Sequence, residues 1–319
     1  MRILVIGGTG FIGRHLVARL AAATHEILVP TRFYKKGRDL LVHPPVTLLQ
    51  EDVHDDAALG RMVAGCDAVI NLVGILHGRT GHPYGPDFDL AHVRLPRRIG
   101  RVCREAGVKR LLHVSALGAS ADAPSMYLRS KAAGEAALRE ACSDGPALTL
   151  FRPSVVFGPE DRFLNLFARL ARVLPVLPVA RARSRLQPVY VGDVAEAIVR
   201  ALFDPAAAGQ TYEIGGPKVY SFKELMELTL AEIKKKRLLL PVPGALLKPA
   251  ALLMELQPLF APPITRDQIE LLKSDNVVSA GAKTLADLGI DHPVPVEGII
   301  ESYLYHYRRG GGRFQPRFS

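Results

Sequence analysis

Short runs rich in Val, Ile and Leu alternate with amphipathic helical patterns over the first 150 residues. Short apolar runs between turn residues indicate buried strands, and apolar positions about three or four apart indicate helices. Strands separated by helices predict an α/β protein with a parallel sheet covered on both faces. Six strands by residue 153 match a Rossmann doubly wound parallel sheet. The six runs read RILVI, EILVP, VTLLQ, DAVINLV, RLLHVS and ALTLFRP.

The pattern changes after residue 153, where the chain becomes richer in proline and less regular. We expect an NAD(P)-binding Rossmann domain over residues 1–153, with residues 186–203 returning to it, and a smaller C-terminal α/β lobe over residues 154–307. Residues 308–319 hold three glycines and four arginines without periodicity, which predicts a flexible basic tail. Beyond residue 153, helices are expected at residues 163–172, 194–202, 222–232, 244–255 and 295–307.

Composition disfavours several classes of protein. We expect no transmembrane segment, because the most apolar stretch, residues 238–260, contains four prolines, a lysine and a glutamate. A net charge of +10 would suit nucleic acid, but the aromatic fraction is 7% and no basic helix carries interleaved aromatic residues. The three cysteines stand far apart, which favours reduced thiols over a disulfide framework. His77 and His82 lie in a glycine-rich loop without ligand partners at metal spacing, so no metal site is expected.

A glycine-rich turn follows the first strand directly. Residues 8–13 match G-x-G-x-x-G at the entry to a helix, and one more glycine precedes them. Glycines allow a tight turn and close backbone approach, while amides at the helix N-terminus bind a pyrophosphate. A merely structural turn is disfavoured because strand, turn and helix occur in the required order. The predicted cofactor contacts are Gly7, Gly8, Thr9, Gly10, Phe11, Ile12 and Gly13.

The end of the second strand distinguishes the two nicotinamide cofactors. A carboxylate there accepts a hydrogen bond from the ribose 2′-OH of NAD and repels the 2′-phosphate of NADP. This chain has Thr31 and Arg32 in that place and no acid. A guanidinium binds phosphate through paired hydrogen bonds, and the threonine hydroxyl can add another. We therefore expect NADP(H) to be preferred over NAD(H); the alternative is that Arg32 is an ordinary surface charge.

Further candidate cofactor contacts follow the third and fourth strands. Asp52 can accept a hydrogen bond from the adenine amino group and Val53 can cover the ring, although Asp52 could equally cap the next helix. Ligands of open α/β sheets lie at the carboxyl ends of the strands. The fourth strand closes there with Asn71, Leu72, Val73 and Gly74. Gly74 alone would also fit a structural turn.

Tyr127 and Lys131 form a Y-x-x-x-K pair, one helical turn apart. Together with the glycine-rich turn, residues 52–53 and residues 71–74, this pair resembles an extended or atypical short-chain dehydrogenase/reductase of the NAD-dependent epimerase/dehydratase type. The resemblance implies that Tyr127 is a general acid/base and that Lys131 holds the nicotinamide ribose. We expect the ammonium of Lys131 to lower the pKa of the Tyr127 phenol.

One position departs from the active members of this family. They usually carry a serine or threonine two residues beyond the first serine after the fifth strand, and here that position is Leu117. Without this donor a substrate carbonyl is poorly polarised, which can cost several kcal/mol in the transition state. Ser115 or Ser120 could substitute, and Ser115 joins Tyr127 and Lys131 as a predicted catalytic residue. Cofactor binding is therefore expected, whereas catalysis stays open.

Longer stretches resemble one branch of the family. YLRSKAAGE, RPSVVFGPEDRFLNLFARL, QPVYVGDVAEAI and ITRDQIELL are similar to the nucleotide-binding accessory subunit of respiratory complex I and its bacterial relatives. This resemblance covers nearly the whole chain and implies a protein that binds its cofactor rather than turning it over. It implies a respiratory-complex or membrane-surface partner and a cytoplasmic location at the inner face of the cytoplasmic membrane. Pro153 and Val156 are expected by resemblance to approach the nicotinamide.

Two functions remain open at this point. The first is a structural or assembly protein that holds NADP(H) and docks on a membrane-bound respiratory complex. Leu117, the apolar stretch at residues 244–260 and the branch resemblance favour it. The second is a soluble NADP-dependent reductase, dehydrogenase or epimerase acting on a small carbonyl or sugar-like substrate. The intact pair of Tyr127 and Lys131 keeps this oxidoreductase alternative open.

Overall fold

The computed structural model describes residues 1–23, 25–243, 246–249, 252, 255 and 265–311. The chain forms two compact units, each assembled from separate segments. The first unit comprises Met1–Pro153, Val191–Ile214 and Ala280–Asp291. The second unit comprises Ser154–Tyr190, Gly215–Ser279 and His292–Ser319. The first unit thus resumes at Val191 rather than at residue 186, and it includes Ala280–Asp291, which carried no such signal in the sequence.

A seven-stranded parallel sheet forms the first unit. Its strands are β1 (Arg2–Ile6), β2 (Glu26–Pro30), β3 (Val46–Leu49), β4 (Ala68–Asn71), β5 (Arg110–Val114), β6 (Ala147–Pro153) and β11 (Thr211–Ile214). The strand order β11-β6-β5-β4-β1-β2-β3 contains the doubly wound order of a Rossmann fold, so the predicted fold class is confirmed. The central strands are apolar on both faces because helices cover both; Ile3, Leu4 and Val5 are fully buried.

Helices of the first unit connect these strands. They are α1 (Phe11–Ala22), α2 (Asp56–Val63), α3 (Pro86–Phe88), α4 (Leu95–Glu105), α5 (Met126–Ala141) and α7 (Val191–Phe203). A π-helical stretch, Asp89–Arg94, joins α3 to α4. Helix α7 begins three residues before the predicted start at residue 194. A 3-10 segment, Tyr34–Val42, lies between β2 and β3.

The second unit combines short strands with helices around its own apolar core. Its strands are β7 (Val156–Phe157), β8 (Val176–Ala180), β9 (Arg185–Leu186), β10 (Val189–Tyr190), β12 (Tyr220–Ser221) and β13 (Leu238–Val242). Its helices are α6 (Leu164–Val173), α8 (Phe222–Glu232), α9 (Arg266–Leu271) and α10 (Val296–Leu304). Strands β8 and β13 pair in parallel, with Leu238 opposite Val176. No helix of the described residues is both long and apolar enough to cross a bilayer.

Two predictions concern the C-terminal part of the chain. The helix expected at residues 244–255 falls largely outside the described residues, as do residues 312–319 of the expected tail. The beginning of that tail is not free, because the Arg308 guanidinium is only 10% exposed and pairs with Glu232 and Glu301. The prediction of a flexible tail from residue 308 was therefore wrong at its first residue.

Candidate functional site

In the glycine-rich turn, backbone segments approach one another so closely that side chains would clash with them. Gly7 has a φ of +86°, a conformation that favours glycine. A Cβ on Gly13 would lie 2.4 Å from the Gly7 carbonyl oxygen and 2.5 Å from that of Gly8, so α1 meets the turn in direct backbone contact. The amide of Gly10 donates to the Gly7 carbonyl at 2.9 Å and closes the turn.

Helix α1 starts from this turn with glycine at its N-cap, so no side chain covers the first amides of the helix. An α-helix leaves those amides without intrahelical partners and carries a partial positive charge at this end. The remaining predicted contacts of the motif, Phe11 and Ile12, form the first helical residues here. This end of α1 is therefore suited to an anionic pyrophosphate.

Cationic side chains follow β2. Arg32 is exposed, and within the part of the chain that is described its side chain has neither a carboxylate partner nor a hydrogen bond. A Cβ on Gly37 would lie 3.0 Å from the Thr9 side chain, so the Tyr34–Val42 segment, with its lysines and arginine, packs on the glycine-rich turn. The hydroxyl of Thr31 donates to the Phe33 carbonyl at 3.1 Å. Thr31 is thus committed to the local turn, while Arg32 is available to a phosphate.

Asp52 stays outside helix α2. Its carboxylate accepts from the His54 amide at 3.0 Å, whereas Asp55 caps the helix by accepting from the Ala58 amide at 2.8 Å. The alternative that Asp52 is the helix cap was therefore wrong. Asp52 is exposed and Val53 half-buried, beyond the carboxyl end of β3.

Lys131 occupies the space between the ends of two neighbouring strands. Its ammonium, on a side chain that is 3% exposed, donates to the Val114 carbonyl at 3.1 Å and to the Val73 carbonyl at 3.5 Å. A Cβ on Gly74 would come within 3.2 Å of this nitrogen, so the loop after β4 passes close to the ammonium. Burial lowers the pKa of Lys131 to about 8, against the opposing effect of Glu135.

Tyr127 precedes Lys131 by one turn of α5, whose N-cap Ser125 accepts from the Leu128 amide at 3.2 Å. Burial raises the pKa of Tyr127 to about 12. The expectation that this pKa is lowered was wrong, because burial disfavours the charged phenolate. At neutral pH the phenol is therefore a proton donor.

The position expected to carry a catalytic hydroxyl is apolar and closed. Leu117 is 2% exposed, and its amide donates to the Pro153 carbonyl at 3.0 Å. Ser120 is exposed, and its hydroxyl accepts from the Asp122 amide at 3.3 Å within a turn. Ser115 differs, because its Oγ is buried and has no hydrogen-bond partner among the residues described. Ser115 thus remains the serine with a hydroxyl to offer. Val156, the last predicted contact, lies in β7 of the second unit.

Sequence reasoning did not assign a role to His113, which lies beside Asn71 in adjacent strands. The Asn71 amide nitrogen lies 3.0 Å from His113 Nδ1, while the Asn71 oxygen accepts from the Val73 amide. Asn71 therefore donates to Nδ1, and the proton of the neutral ring sits on Nε2. That nitrogen is buried without a partner among the described residues. Burial, and then the charge of Lys131, lower the pKa of His113 to about 3.

His92 is a second residue that sequence reasoning missed. Its Nε2 accepts from the Ile75 amide at 3.0 Å, so Nδ1 carries the proton and donates to Ser130 Oγ at 2.8 Å. Ser130 in turn donates to the Tyr127 carbonyl at 2.7 Å. Burial is the main cause that lowers the pKa of His92 to about 2. This series of hydrogen bonds fixes the loop after β4 against α5, the helix that carries Tyr127 and Lys131.

Two unpaired donors, His113 Nε2 and Ser115 Oγ, thus lie on alternate residues from the end of β5 onward. An unpaired buried polar group costs about 1–3 kcal/mol, so such groups are retained where something else binds them. Together with Lys131, they place polar groups at the carboxyl end of the sheet, the edge where ligands of open α/β sheets lie. Among the described residues, no group of three or more His, Cys, Asp or Glu could hold a metal ion.

Comparison with known proteins agrees with this geometry. Residues 3–215 match the model of the NAD dependent epimerase/dehydratase family. The chain is 34% identical to NADH dehydrogenase (ubiquinone) 1 alpha subcomplex subunit 9, mitochondrial, of Arabidopsis thaliana, over 97% of this chain and 79% of that protein. It is 32% identical to a ceramide reductase of Caulobacter vibrioides, over 76% of this chain and 75% of that protein.

A solved structure extends the likeness to the whole fold. The dTDP-glucose 4,6-dehydratase DesIV of Streptomyces venezuelae, with NAD and TYD bound, superposes with a TM-score of 0.74 over 98% of this chain and 99% of that chain. Its sequence identity is 20%, so this likeness concerns the fold alone. On the family match and the respiratory relatives, the chain belongs to the NAD dependent epimerase/dehydratase family.

Proposed function

We propose that this protein holds NADP(H) as a bound, structural cofactor and acts as an accessory protein of a respiratory NADH dehydrogenase. The observation that supports the proposal is a glycine-rich turn and a buried Lys131, both suited to a dinucleotide, beside an expected catalytic position that is apolar and closed. Gly7, Gly13 and Lys131 are the residues suited to binding, whereas Leu117 fills the place of the expected hydroxyl. Binding needs the first three residues, and hydride transfer to a carbonyl also needs a donor such as the missing hydroxyl.

The preference for NADP(H) over NAD(H) rests on charge at the end of β2. No carboxylate stands there to accept from a ribose 2′-OH, and the exposed Arg32 is unpaired within the described residues. The Tyr34–Val42 segment adds two lysines and an arginine next to Thr9. A 2′-phosphate would meet several cations in this place, and the acid of the same segment, Asp39, pairs with Arg14.

The proposed partner follows from the respiratory relative. That relative is named as a subunit of an NADH dehydrogenase subcomplex, and the similarity extends over 97% of the present chain. We propose a peripheral location on the inner face of the cytoplasmic membrane, where such a complex would be met. Copurification with a tagged respiratory dehydrogenase, at native expression level, tests this part independently of cofactor binding.

The direct test is the nucleotide that the protein retains. We expect mass spectrometry of heat-released ligand to find NADP(H) near one per chain, and calorimetry on stripped protein to give tighter binding for NADPH than for NADH. We also expect the bound nicotinamide to stay in one redox state when carbonyl compounds are added. Equal affinities for NADPH and NADH would refute the preference, and no bound or binding nucleotide would refute the proposal.

A reductase is the second candidate, favoured by three residues. Tyr127 and Lys131 are both present on α5, and the buried Ser115 hydroxyl has no partner among the described residues. The 32% identity to a ceramide reductase supports the same candidate. Tyr127→Phe decides between the two functions. If a carbonyl substrate is found whose reduction falls about a hundredfold in Tyr127→Phe, as loss of an acid catalyst predicts, the binder proposal is wrong.

A further inference from the structure

The second unit contains a cavity of about 460 Å³ that the cofactor proposal does not use. It lies between the end of α6, the chain after α8 and the segment after α10. We call it the basic cavity, because its lining includes Arg172, Lys235, His306, Arg308 and Arg309.

One of these cations builds the cavity and does not bind a ligand. Arg308 Nε donates to the Glu232 carbonyl at 2.8 Å, and its guanidinium pairs with the carboxylates of Glu232 at 3.3 Å and Glu301 at 2.9 Å. Its charge is therefore compensated by the carboxylates of Glu232 and Glu301. The pairing holds the segment that follows α10 against the end of α8 and so fixes one wall of the cavity.

The remaining arginine and lysine side chains of the lining carry uncompensated charge. Arg172 and Arg309 are exposed and Lys235 is half-buried. None of the three side chains has an ion pair or a side-chain hydrogen bond within the described ranges. Three cations without a carboxylate partner around one cavity attract an anion that has several oxygens. Arginine binds phosphate oxygens through paired hydrogen bonds. A phosphate group is therefore the chemistry that this cavity fits.

The residues next to these cations indicate where the phosphate comes from. Val173, directly after Arg172, is 80% exposed, and Leu238, directly after the basic run Lys234–Arg237, is 61% exposed. Val176 is 38% exposed and lies opposite Leu238 in the paired strands. Arg237 Nε donates to the Ala171 carbonyl at 2.8 Å and ties the two segments together. A soluble phosphate compound would make no contact with the exposed side chains of Val173, Val176 and Leu238, whereas the acyl chains of a lipid surface can cover them.

We propose that the basic cavity binds the phosphate of an anionic lipid headgroup while Val173, Val176 and Leu238 contact the acyl region of the membrane. This site gives the second unit a direct contact with lipid. It rests on the proposed membrane location but does not depend on cofactor binding, because the glycine-rich turn and Lys131 belong to the first unit.

Cosedimentation of the full chain with vesicles tests the site. The vesicles contain phosphatidylcholine alone, or with added phosphatidic acid, phosphatidylglycerol, or a carboxylate lipid such as oleate. We expect binding to both phosphate lipids, weaker binding at equal charge density to oleate, and little to phosphatidylcholine alone. Rising salt should weaken binding as screening increases. Inorganic phosphate and glycerol 1-phosphate, examined by calorimetry, provide the soluble arm, and we expect both to bind far more weakly than the vesicles.

Variants locate the binding. The triple change Arg172→Ala, Lys235→Ala and Arg309→Ala should weaken binding to phosphatidic acid vesicles at least about tenfold, since each cation near an anionic surface contributes substantially. The matched control removes three exposed arginines of the same unit that do not line the cavity, and it should change binding less than about twofold. The control changes are Arg162→Ala, Arg181→Ala and Arg183→Ala. Val173→Ser with Leu238→Ser should weaken vesicle binding and leave the soluble arm unchanged.

Four results would overturn the site. The first is an equal loss of vesicle binding in the triple variant of the cavity and in the control triple variant, and the second is equal binding to oleate and to the phosphate lipids. The third is tight binding of glycerol 1-phosphate without binding to vesicles. The fourth is displacement of the protein from vesicles by RNA at low concentration. Circular dichroism and NADPH affinity are measured on every variant. A variant that binds NADPH but no longer binds vesicles would show that the lipid site is separate from the cofactor site. If the protein binds vesicles but no NADPH, the lipid site is supported and the cofactor proposal is not.

Discussion

Lys131 illustrates how a single buried charge can serve binding at the expense of stability. Its ammonium is almost completely removed from water, and the two carbonyls that accept its hydrogen bonds compensate only partly, which is why its pKa falls to about 8. A cofactor ribose at this point would supply the missing hydrogen bonds. The residue is thus retained for a ligand, a common reason for a locally unfavourable group.

Replacing Lys131 by methionine should therefore stabilise the protein without ligand. The gap between the ordinary pKa of 10.5 and about 8 corresponds to roughly 3 kcal/mol of penalty at neutral pH. Allowing for the lost hydrogen bonds, we expect Lys131→Met to raise the free energy of unfolding by about 1–3 kcal/mol at pH 7 and to weaken NADPH binding about tenfold or more. Urea unfolding and calorimetry measure the two effects. Exposed Lys109→Met is the control and should change neither.

The same residue predicts a pH dependence with a definite sign. Below pH 8 the ammonium is charged in the folded and unfolded states, so the penalty is complete. Between pH 8 and pH 10.5 the folded state releases the proton and the unfolded state retains it, so the free energy of unfolding gains a contribution that rises with pH. The advantage of Lys131→Met should shrink across this window. An advantage that is constant from neutral pH to about pH 10 would contradict the origin in burial.

Arg32 tests the cofactor preference at one side chain. Arg32→Ala should weaken NADPH binding by about 1.5–3 kcal/mol, the range for hydrogen bonds to charged groups, and should leave NADH binding nearly unchanged. Arg169→Ala, an exposed arginine of the second unit, removes the same net charge elsewhere and is the control. Calorimetry with both nucleotides measures the difference. A similar loss for NADH and NADPH would mean that Arg32 supports the turn and does not read the phosphate.

Motifs predicted part of this site, and burial explains what they missed. Gly7 and Lys131 belong to patterns with fixed spacing, and the structure gives each a geometry that the pattern requires. His92 and His113 belong to no motif, because their roles depend on neutral rings held by residues distant in sequence. The available signal was a polar residue at the end of an otherwise apolar strand, as in RLLHV. Tyr127 was misjudged for the same reason, since desolvation is not visible in spacing.

At the scale of elements, glycines in equivalent helical settings have opposite roles. Gly13 in α1 faces backbone on two sides, whereas a Cβ on Gly60 in α2 would meet no heavy atom within 4 Å. Glycine costs a helix about 0.5–1 kcal/mol relative to alanine unless a close contact requires it. The two positions therefore form a matched pair in which only the space around the Cβ differs.

Gly13→Ala should destabilise the protein by about 1–3 kcal/mol and abolish dinucleotide binding, because α1 must move away from the turn. Gly60→Ala should raise the free energy of unfolding by about 0.5–1 kcal/mol and leave NADPH affinity unchanged. Thermal unfolding and calorimetry on both variants check this. If Gly13→Ala keeps full affinity, the first amides of α1 do not form the anion site.

Element prediction succeeded where local pattern and tertiary packing agree. Helix α8 begins and ends as predicted, after a serine N-cap that is visible in the sequence. Strand β11 was missed because four residues, TYEI, become a strand only by pairing with β6 across a distant connection. Arg308 looked like part of a tail because its composition is that of a tail, yet two glutamates from separate helical segments hold it.

The whole molecule carries a net charge of +10, from 41 Lys and Arg against 31 Asp and Glu. A protein with this excess attracts anions over distances larger than any contact, up to about one Debye length of about 10 Å at moderate salt. Both proposed ligands, a dinucleotide and an anionic lipid, are anions. Long-range attraction should therefore appear in the rates at which they associate, apart from the contacts that retain them.

NADPH binding should accordingly slow with salt through its association rate. Raising the ionic strength from low to high should reduce the NADPH association rate several-fold, and NADH, which lacks the 2′-phosphate, should be slowed less. Dissociation should change little, because it depends on contacts within the site. Arg162→Glu with Arg183→Glu lowers the net charge by four, from +10 to +6, and both changes lie in the second unit. At low salt this pair should reduce the association rate and leave dissociation unchanged, and at high salt the effect should vanish. Stopped-flow measurement of nicotinamide fluorescence gives both rates. An association rate that changes neither with salt nor with this charge reversal in the second unit would confine the electrostatic contribution to Arg32 and its neighbours.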